Sequence, residues 1–306
     1  MSGLHMFSRW ICKTIYRLTH SEKYRHNKNL WPYFKVEREP LGAIKNVFFK
    51  KEKLNTIEVN RNERTKPLLI MASGPSVNEI STTFFDDYFD YMGVNGAGAM
   101  ASIAFDWYVI IDRSFVINRI DLVREIVSRD ELTLFCPCKC LESICSLIPW
   151  EAIRCKFKII ETVTDSTVHQ FLGATYPIKK GDAHFFWHNG IGFSDDVNRV
   201  VFDCGTVTYP ALQIACALGY KEIYLVGLDM NNFTAPRFYE NQSDVQSTRL
   251  ARDFNNIINA FITAQSYCER NNIQIVNVSP ASAVNAFPKL AWSKVEKQSV
   301  LALASA

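Results

Sequence analysis

Residues 206–229 read TVTYPALQIACALGYKEIYLVGLD. The first part, Thr206–Leu218, has the apolar spacing of a helix. The second, Glu222–Val226, is a short apolar run that ends in Gly227-Leu228-Asp229. A helix feeding a strand that closes on a polar residue is one half-turn of an alternating α/β chain.

The same pattern extends in both directions. Strands are predicted at Leu68–Ala72, Tyr91–Val94, Trp107–Ile111, Leu132–Phe135, Phe157–Ile160 and Ile273–Val278. Helical periodicity covers Ile117–Val127. It is clearest in Leu250, Phe254, Ile257, Ile258, Phe261 and Cys268. This alternation predicts an α/β fold: a Rossmann-like, doubly wound parallel sheet with helices on both faces. Residues 164–204 break the rhythm. They contain Gly173, Gly181, Gly190 and Gly192, with Phe185, Phe186 and Trp187 between His184 and His188. They read as a lid over the carboxyl edge of the sheet.

The chain has 306 residues, 48% of them hydrophobic and 21% charged, which excludes a disordered or fibrous protein. Its apolar runs fall short of the roughly 18 residues that a membrane span needs. The net charge of +3 is unevenly divided. Residues 1–60 hold 12 basic and 5 acidic residues, a net of +7, and residues 61–306 hold 22 and 26, a net of −4. The division expected is a basic N-terminal arm, 1–60, and a catalytic domain, 61–306, with its lid at 164–204.

Within the arm, Leu4, Phe7, Trp10, Ile11, Ile15 and Leu18 recur at helical spacing. Arg9, Lys13 and Arg17 fall on another face. Such a helix can lie in a membrane interface or pack on the body. The cations also interrupt the apolar stretch, so it does not read as a secretory signal. A cytoplasmic protein, peripheral on the inner face of the inner membrane, is expected. Its nine cysteines are then reduced. Cys136, Cys138, Cys140 and Cys145 do not have the spacing of a zinc site. Nucleic acid is not an expected partner, because the body is net acidic and no recognition motif accompanies the arm.

Chemistry is expected at the strand ends. The first strand runs into Ser73-Gly74-Pro75-Ser76, a turn whose glycine admits close approach and whose following helix start offers N–H groups to an anion. The second runs into Asn95-Gly96, the third into Asp112-Arg113. Neither a dinucleotide fingerprint nor a triphosphate loop is present. The chain has no D-x-D, so no metal is expected. Asp195-Asp196, a carboxylate pair in the lid segment, is a candidate general base, because adjacent carboxylates raise each other's pKa. The competing reading is a solvated acidic turn.

Together these pieces resemble bacterial CMP-sialic acid sialyltransferases. The carriers are the 211–229 stretch, Gly74-Pro75-Ser76, Asn95 and Asn277-Val278-Ser279-Pro280. They resemble more closely the lipopolysaccharide-core transferases that add an extra Kdo to the inner core. There the order is Ser73–Pro75, Val94–Gly96, Asp112-Arg113, Gly192-Phe193 with Asp196, Gly227–Asp229 and Arg237–Tyr239. The likeness covers roughly residues 67–290. It implies a single-sheet sialyltransferase-like fold and an inverting, metal-independent transfer of Kdo from CMP-Kdo to an inner-core acceptor.

The resemblance also implies roles. Ser73, Gly74, Pro75, Ser76, Asn95, Gly96, Asp112 and Arg113 would hold CMP. Gly205-Thr206 would receive the donor carboxylate, and Arg237 and Tyr239 the leaving phosphate. Asp196 would be the base, with Asp195 or His188 as substitutes. The arm would meet the anionic inner-membrane surface. Three alternatives stay open. One is a CMP-sialic acid-dependent transferase of lipooligosaccharide. Another is a non-catalytic, membrane-associated CMP-sugar-binding protein. The third is a pyrophosphokinase-like enzyme, which would need a triphosphate and magnesium.

Overall fold

The structure, a computed structural model, describes residues 3–80, 88–231, 233–243, 245 and 248–295, and only the backbone of residues 3–8. The chain opens with α1 (Gly3–Thr19) and a short 3-10 segment. β1 (Phe34–Arg38), β2 (Ile44–Phe49) and β3 (Glu52–Lys53) follow as an antiparallel sheet. The main body then alternates. Its first strands are β4 (Leu68–Met71), β5 (Asp90–Val94) and β6 (Trp107–Val109). α2 (Arg113–Asn118) and α3 (Ile120–Val127) lead to β7 (Thr133–Cys136), and α4 (Cys138–Leu147) leads to β8 (Lys156–Ile159).

The expected lid segment folds as small strands. They are β9 (Thr162–Thr164), β10 (Thr167–His169), β11 (Thr175–Pro177), β12 (Phe186–His188), β13 (Ile191–Phe193) and β14 (Val201–Phe202). α5 (Thr208–Leu218), β15 (Glu222–Val226), α6 (Leu250–Arg270) and β16 (Gln274–Asn277) complete the body.

Seven strands make the main sheet, in the order β16-β15-β4-β5-β6-β7-β8, and every pairing is parallel. All seven strands expected from the sequence are in it. The period of two along β4 shows how it is buried. Leu68 and Ile70 join the cluster that includes α5 and α6. Leu69 and Met71 join the cluster that includes α3 and α4. Both faces are covered, as a parallel sheet requires, so its strands are apolar throughout rather than alternating.

α5 is buried along its whole length and stops at Gly219, whose φ of +95° is the left-handed turn that releases a helix end. Both sheet edges are closed by single strands of chain. Ile57 donates its N–H to the Phe157 carbonyl and Phe157 donates to Asn55, capping β8. Asn277 exchanges the same kind of bonds with Pro288 and Leu290, capping β16.

The sequence separates residues 1–60 as an arm. In the structure much of that stretch is core. Leu30, Phe34, Val47, Phe49 and Leu54 are buried in the α3–α4 cluster. Asn27 is fully buried. Its amide donates to the Gly173 carbonyl at 2.7 Å and accepts from Leu172 N–H at 3.0 Å. Arg38 donates to Glu161 and to the Phe171 carbonyl. No helix among the described residues is long and apolar enough to cross a membrane.

Candidate active site

The strand order reverses between β4 and β15. In an open parallel sheet the ligand crevice lies outside the carboxyl ends at such a switch point. A cavity of about 840 Å³ lies there. Its floor is the run of strand ends: Ser73-Gly74-Pro75 after β4, Asn95 after β5, Asp112 after β6, and Gly227-Leu228-Asp229 after β15. Gly205 and Thr206, at the entry to α5, line another wall.

The floor is tied together from below. Gly74 N–H donates to the Gly227 carbonyl at 2.9 Å. Asp229 accepts from Ser76 N–H at 2.9 Å and from the Ser76 hydroxyl, which also meets Ser279 Oγ. A Cβ on Gly74 would stand 2.4 Å from Asp229 Oδ2, so only glycine fits between these strands. Ser76 therefore lies behind the floor and braces β4 against β15. Asn95 has a φ of +45°, a strained conformation that Asn tolerates better than most residues. Its side-chain oxygen is buried and has no hydrogen-bond partner among the described residues. A buried acceptor of this kind needs a donor from elsewhere.

The cavity carries both signs of charge. Asp112 is turned away, capping α2 by accepting from Ser114 N–H at 2.8 Å and from the Ser114 hydroxyl. Glu240 holds Arg237 at 2.7 Å and Arg119 at 3.6 Å. Asp253 pairs with Arg252 at 2.8 Å. Lys139, in the first turn of α4, and Arg249, just before α6, line the cavity without an ion pair among the described residues. Asp203 follows β14. It accepts from Gly205 N–H at 3.0 Å. Burial raises its carboxyl above the ordinary range, the Gly205 N–H and Lys139 oppose the rise, and Asp112 and Asp165 add to it. Beside it Cys204 is pushed up to about 12 by burial, then by Asp203. That thiol stays protonated.

Of the expected site residues, the structure brings Ser73, Gly74, Pro75, Asn95, Asp112, Gly205, Thr206 and Arg237 to one cavity. The others stand outside its lining. Arg113 bonds Glu142 and Ser143. The Tyr239 ring lies against Gly96, where an added Cβ would collide with it. Gly96 is thus a packing position and Tyr239 a wall behind the floor.

The three residues considered as base are also elsewhere. Asp195 accepts from Tyr267 Oη at 2.6 Å and pairs with Arg61 at 3.1 Å. Asp196 accepts from Asn198 N–H and meets Arg199. The His188 carbonyl accepts from Thr263. α6 measures the separation. Its Asp253 lines the cavity, whereas Tyr267 is 14 residues further on, about 21 Å at 1.5 Å per residue. The adjacent Asp195 and Asp196 each have their own partners.

The segment 164–204 is likewise not the cover expected of it. Its aromatics pack inward: Phe185 and Trp187 on Phe202, Phe186 and Phe193 on Tyr267. Only its ends, Thr164-Asp165 and Asp203-Cys204, reach the cavity. The cover comes from the loop between β15 and α6, through Met230, Phe233, Ala235, Arg237, Val245 and Thr248. The signal for Asp203 was in the sequence: Val200-Val201-Phe202 is one more apolar run closing on a carboxylate. The cysteines near 136–145 sit where β7 gives way to α4. Burial raises the Cys136, Cys138, Cys140 and Cys145 thiols, Cys138 and Cys145 to about 12.

Comparisons with known proteins give the following likenesses. Residues 187–288 match the family model described as 3-deoxy-D-manno-octulosonic acid transferase WaaZ. A curated "Probable 3-deoxy-manno-octulosonic acid transferase" of Escherichia coli K12 is 25% identical, over 79% of this chain and 87% of that one. A protein of the same description from Salmonella typhimurium is 26% identical, over 47% of this chain and 49% of its own. Among solved structures, the sialyltransferase CstII of Campylobacter jejuni with CMP-3FNeuAc aligns with a TM-score of 0.41 and 16% identity, covering 74% of this chain and 87% of that one. The chain is a glycosyltransferase. Its sequence relatives are Kdo transferases, the kind that the ordered strand-end motifs resemble.

Proposed function

We propose that the protein transfers Kdo from CMP-Kdo to a saccharide of the lipopolysaccharide inner core, with inversion, at the cytoplasmic face of the inner membrane. The observation that carries this reading is Asp203, a carboxyl of raised pKa on the wall of the switch-point cavity. The names of the sequence relatives support the choice of Kdo.

In this reading the acceptor hydroxyl attacks the anomeric carbon of Kdo from the face opposite the phosphate. Its proton passes to Asp203. The bond from the anomeric carbon to the phosphate oxygen breaks, and CMP leaves with the electron pair. Lys139, Arg237 and Arg249 supply positive charge for the phosphate and for the donor carboxylate. Thr206 and Thr208, on the cavity wall where α5 opens, offer further donors. The unpartnered Asn95 oxygen accepts from the nucleotide, and the glycine at 74 lets it lie close to the backbone. A monophosphate leaving group asks for less charge compensation than a diphosphate, so no metal is written into the step.

Asp203→Asn tests it. Turnover with CMP-Kdo should fall about 10²- to 10⁴-fold while CMP binding, read by calorimetry, stays within a few-fold. Asp196→Asn should keep most turnover. The opposite ranking would return the base to the 195–196 turn. Offering CMP-sialic acid beside CMP-Kdo decides the donor.

A further inference from the structure

The polarity of α1 is reversed with respect to the body. A helix that packs on a protein turns its apolar stripe inward. Here the inward side holds a cation, Arg9. Arg9 donates to the buried Glu142 and lies over the Tyr33 ring, at 5.5 Å from its centroid. Tyr16, two turns beyond, is buried against Trp31. The outward side is apolar. Trp10 is 61% exposed, Ile11 38%, Ile15 44% and Leu18 81%. At 100° per residue these four span about 140° of the helix, and the one polar residue inside that arc, Thr14, turns its hydroxyl back to the Trp10 carbonyl. Exposed side chains of this size on one helix face are a docking surface rather than scatter.

Charge at the rim selects the occupant. Arg17 is exposed near the carboxyl end of α1, and Lys23 and Arg25 are exposed in the 3-10 segment that follows it. The one acid there, Glu22, is 3.6 Å from Arg25. An aromatic and three aliphatic side chains, bordered by cations, complement the boundary between acyl chains and anionic headgroups.

We infer that the outward face of α1, Trp10, Ile11, Ile15 and Leu18 with Arg17, Lys23 and Arg25 at its rim, is the surface by which the protein lies on an anionic lipid bilayer. The inference deepens the proposed function, since it identifies the face turned to a membrane that carries the acceptor. It does not depend on the donor.

Vesicles of phosphatidylcholine and phosphatidylglycerol, 3:1, test it by co-sedimentation with the full chain and no donor or acceptor present. Wild type should bind, and more weakly as salt rises. Trp10→Glu with Leu18→Glu should weaken binding about a hundredfold. Arg17→Gln, Lys23→Gln and Arg25→Gln should each weaken it about fivefold. Trp10→Ala with Leu18→Ala, a milder pair, should fall between, and unchanged CMP binding would show that each variant is folded. Wild type left in the supernatant, or the Glu pair bound as wild type is, would overturn the inference. So would a wild-type dimer in sedimentation velocity that the Glu pair dissolves, because the face would then belong to a second copy. Failure of the catalytic reading looks different. It would leave vesicle binding intact and show no Kdo transfer even to a delipidated core saccharide.

Discussion

A carboxylate works as a base only when ionised, and the position of its pKa decides where. Burial, the largest influence on Asp203, raises its carboxyl above the ordinary value of about 3.9. The ascending limb of kcat/KM against pH should therefore lie above that of a solvated aspartate. Activity should fall as pH drops through the raised pKa, and the limb should vanish in the residual activity of Asp203→Asn. A limb unchanged in that variant would assign it to another group. The same shift has an opposite sign for stability. The folded state holds this proton more tightly than the unfolded chain, so the Asp203 contribution favours folding at low pH and is lost as pH rises through the folded pKa. At this scale the sequence was half legible. Strand-end residues such as Gly74 and Asn95 could be placed because a parallel sheet sends all its carboxyl ends to one edge. Asp203 also closes an apolar run, but β14 is only two residues long and belongs to the minor sheet, so the run does not say that it reaches the same edge. Asp195-Asp196 drew attention by adjacency, which says nothing about where two side chains point.

Among elements, the stretch that precedes β1 is tied to the 170–173 turn by the buried Asn27 amide and by His26, whose Nε2 meets the Gln170 carbonyl at 2.7 Å. Asn27 serves one donor and one acceptor of the 172–173 turn. Asn27→Ala would leave the Gly173 carbonyl and the Leu172 N–H without these partners in a closed interior. It should cost about 2–4 kcal/mol in urea denaturation, more than a typical surface change. A loss below about 0.5 kcal/mol would mean that water reaches the turn. Helix α6 was readable from periodicity alone, since seven of its residues are buried on one side. The small strands β9 to β14 were not, because each is only two or three residues long. No period can be established over so few positions.

For the molecule as a whole, the charge division at residue 60 describes composition and not independence. Residues 30–54 bury apolar side chains against α4 and the 171 turn. Residues 55–57 close the β8 edge of the main sheet. A chain beginning at residue 61 would expose both the apolar face and the row of unpaired N–H and C=O groups. It should aggregate on size-exclusion chromatography and lose its cooperative thermal transition. A soluble monomer with the wild-type melting temperature would show the opposite. The aromatic and basic residues of this region looked like surface because cations alternate with rings. In the structure Phe34 and Phe49 are buried, and Lys35 and Lys50 lie over the Phe48 and Phe49 rings. A long cation on an aromatic face covers it from water and keeps its own charge hydrated.

Glu142 is buried and accepts from two arginines, Arg9 of α1 and Arg113, the residue after Asp112 at the cavity edge. On the inference that α1 lies in a lipid interface, this joint would set geometry. A flexible tail would let the cavity mouth swing to any angle and any distance from the bilayer. A helix clamped through Glu142 gives the molecule one pitch, so the mouth stands at one height above the headgroups. Acceptor choice would then acquire a ruler: among several hydroxyls of similar chemistry on a lipid-anchored saccharide, the one at that height would be the one glycosylated.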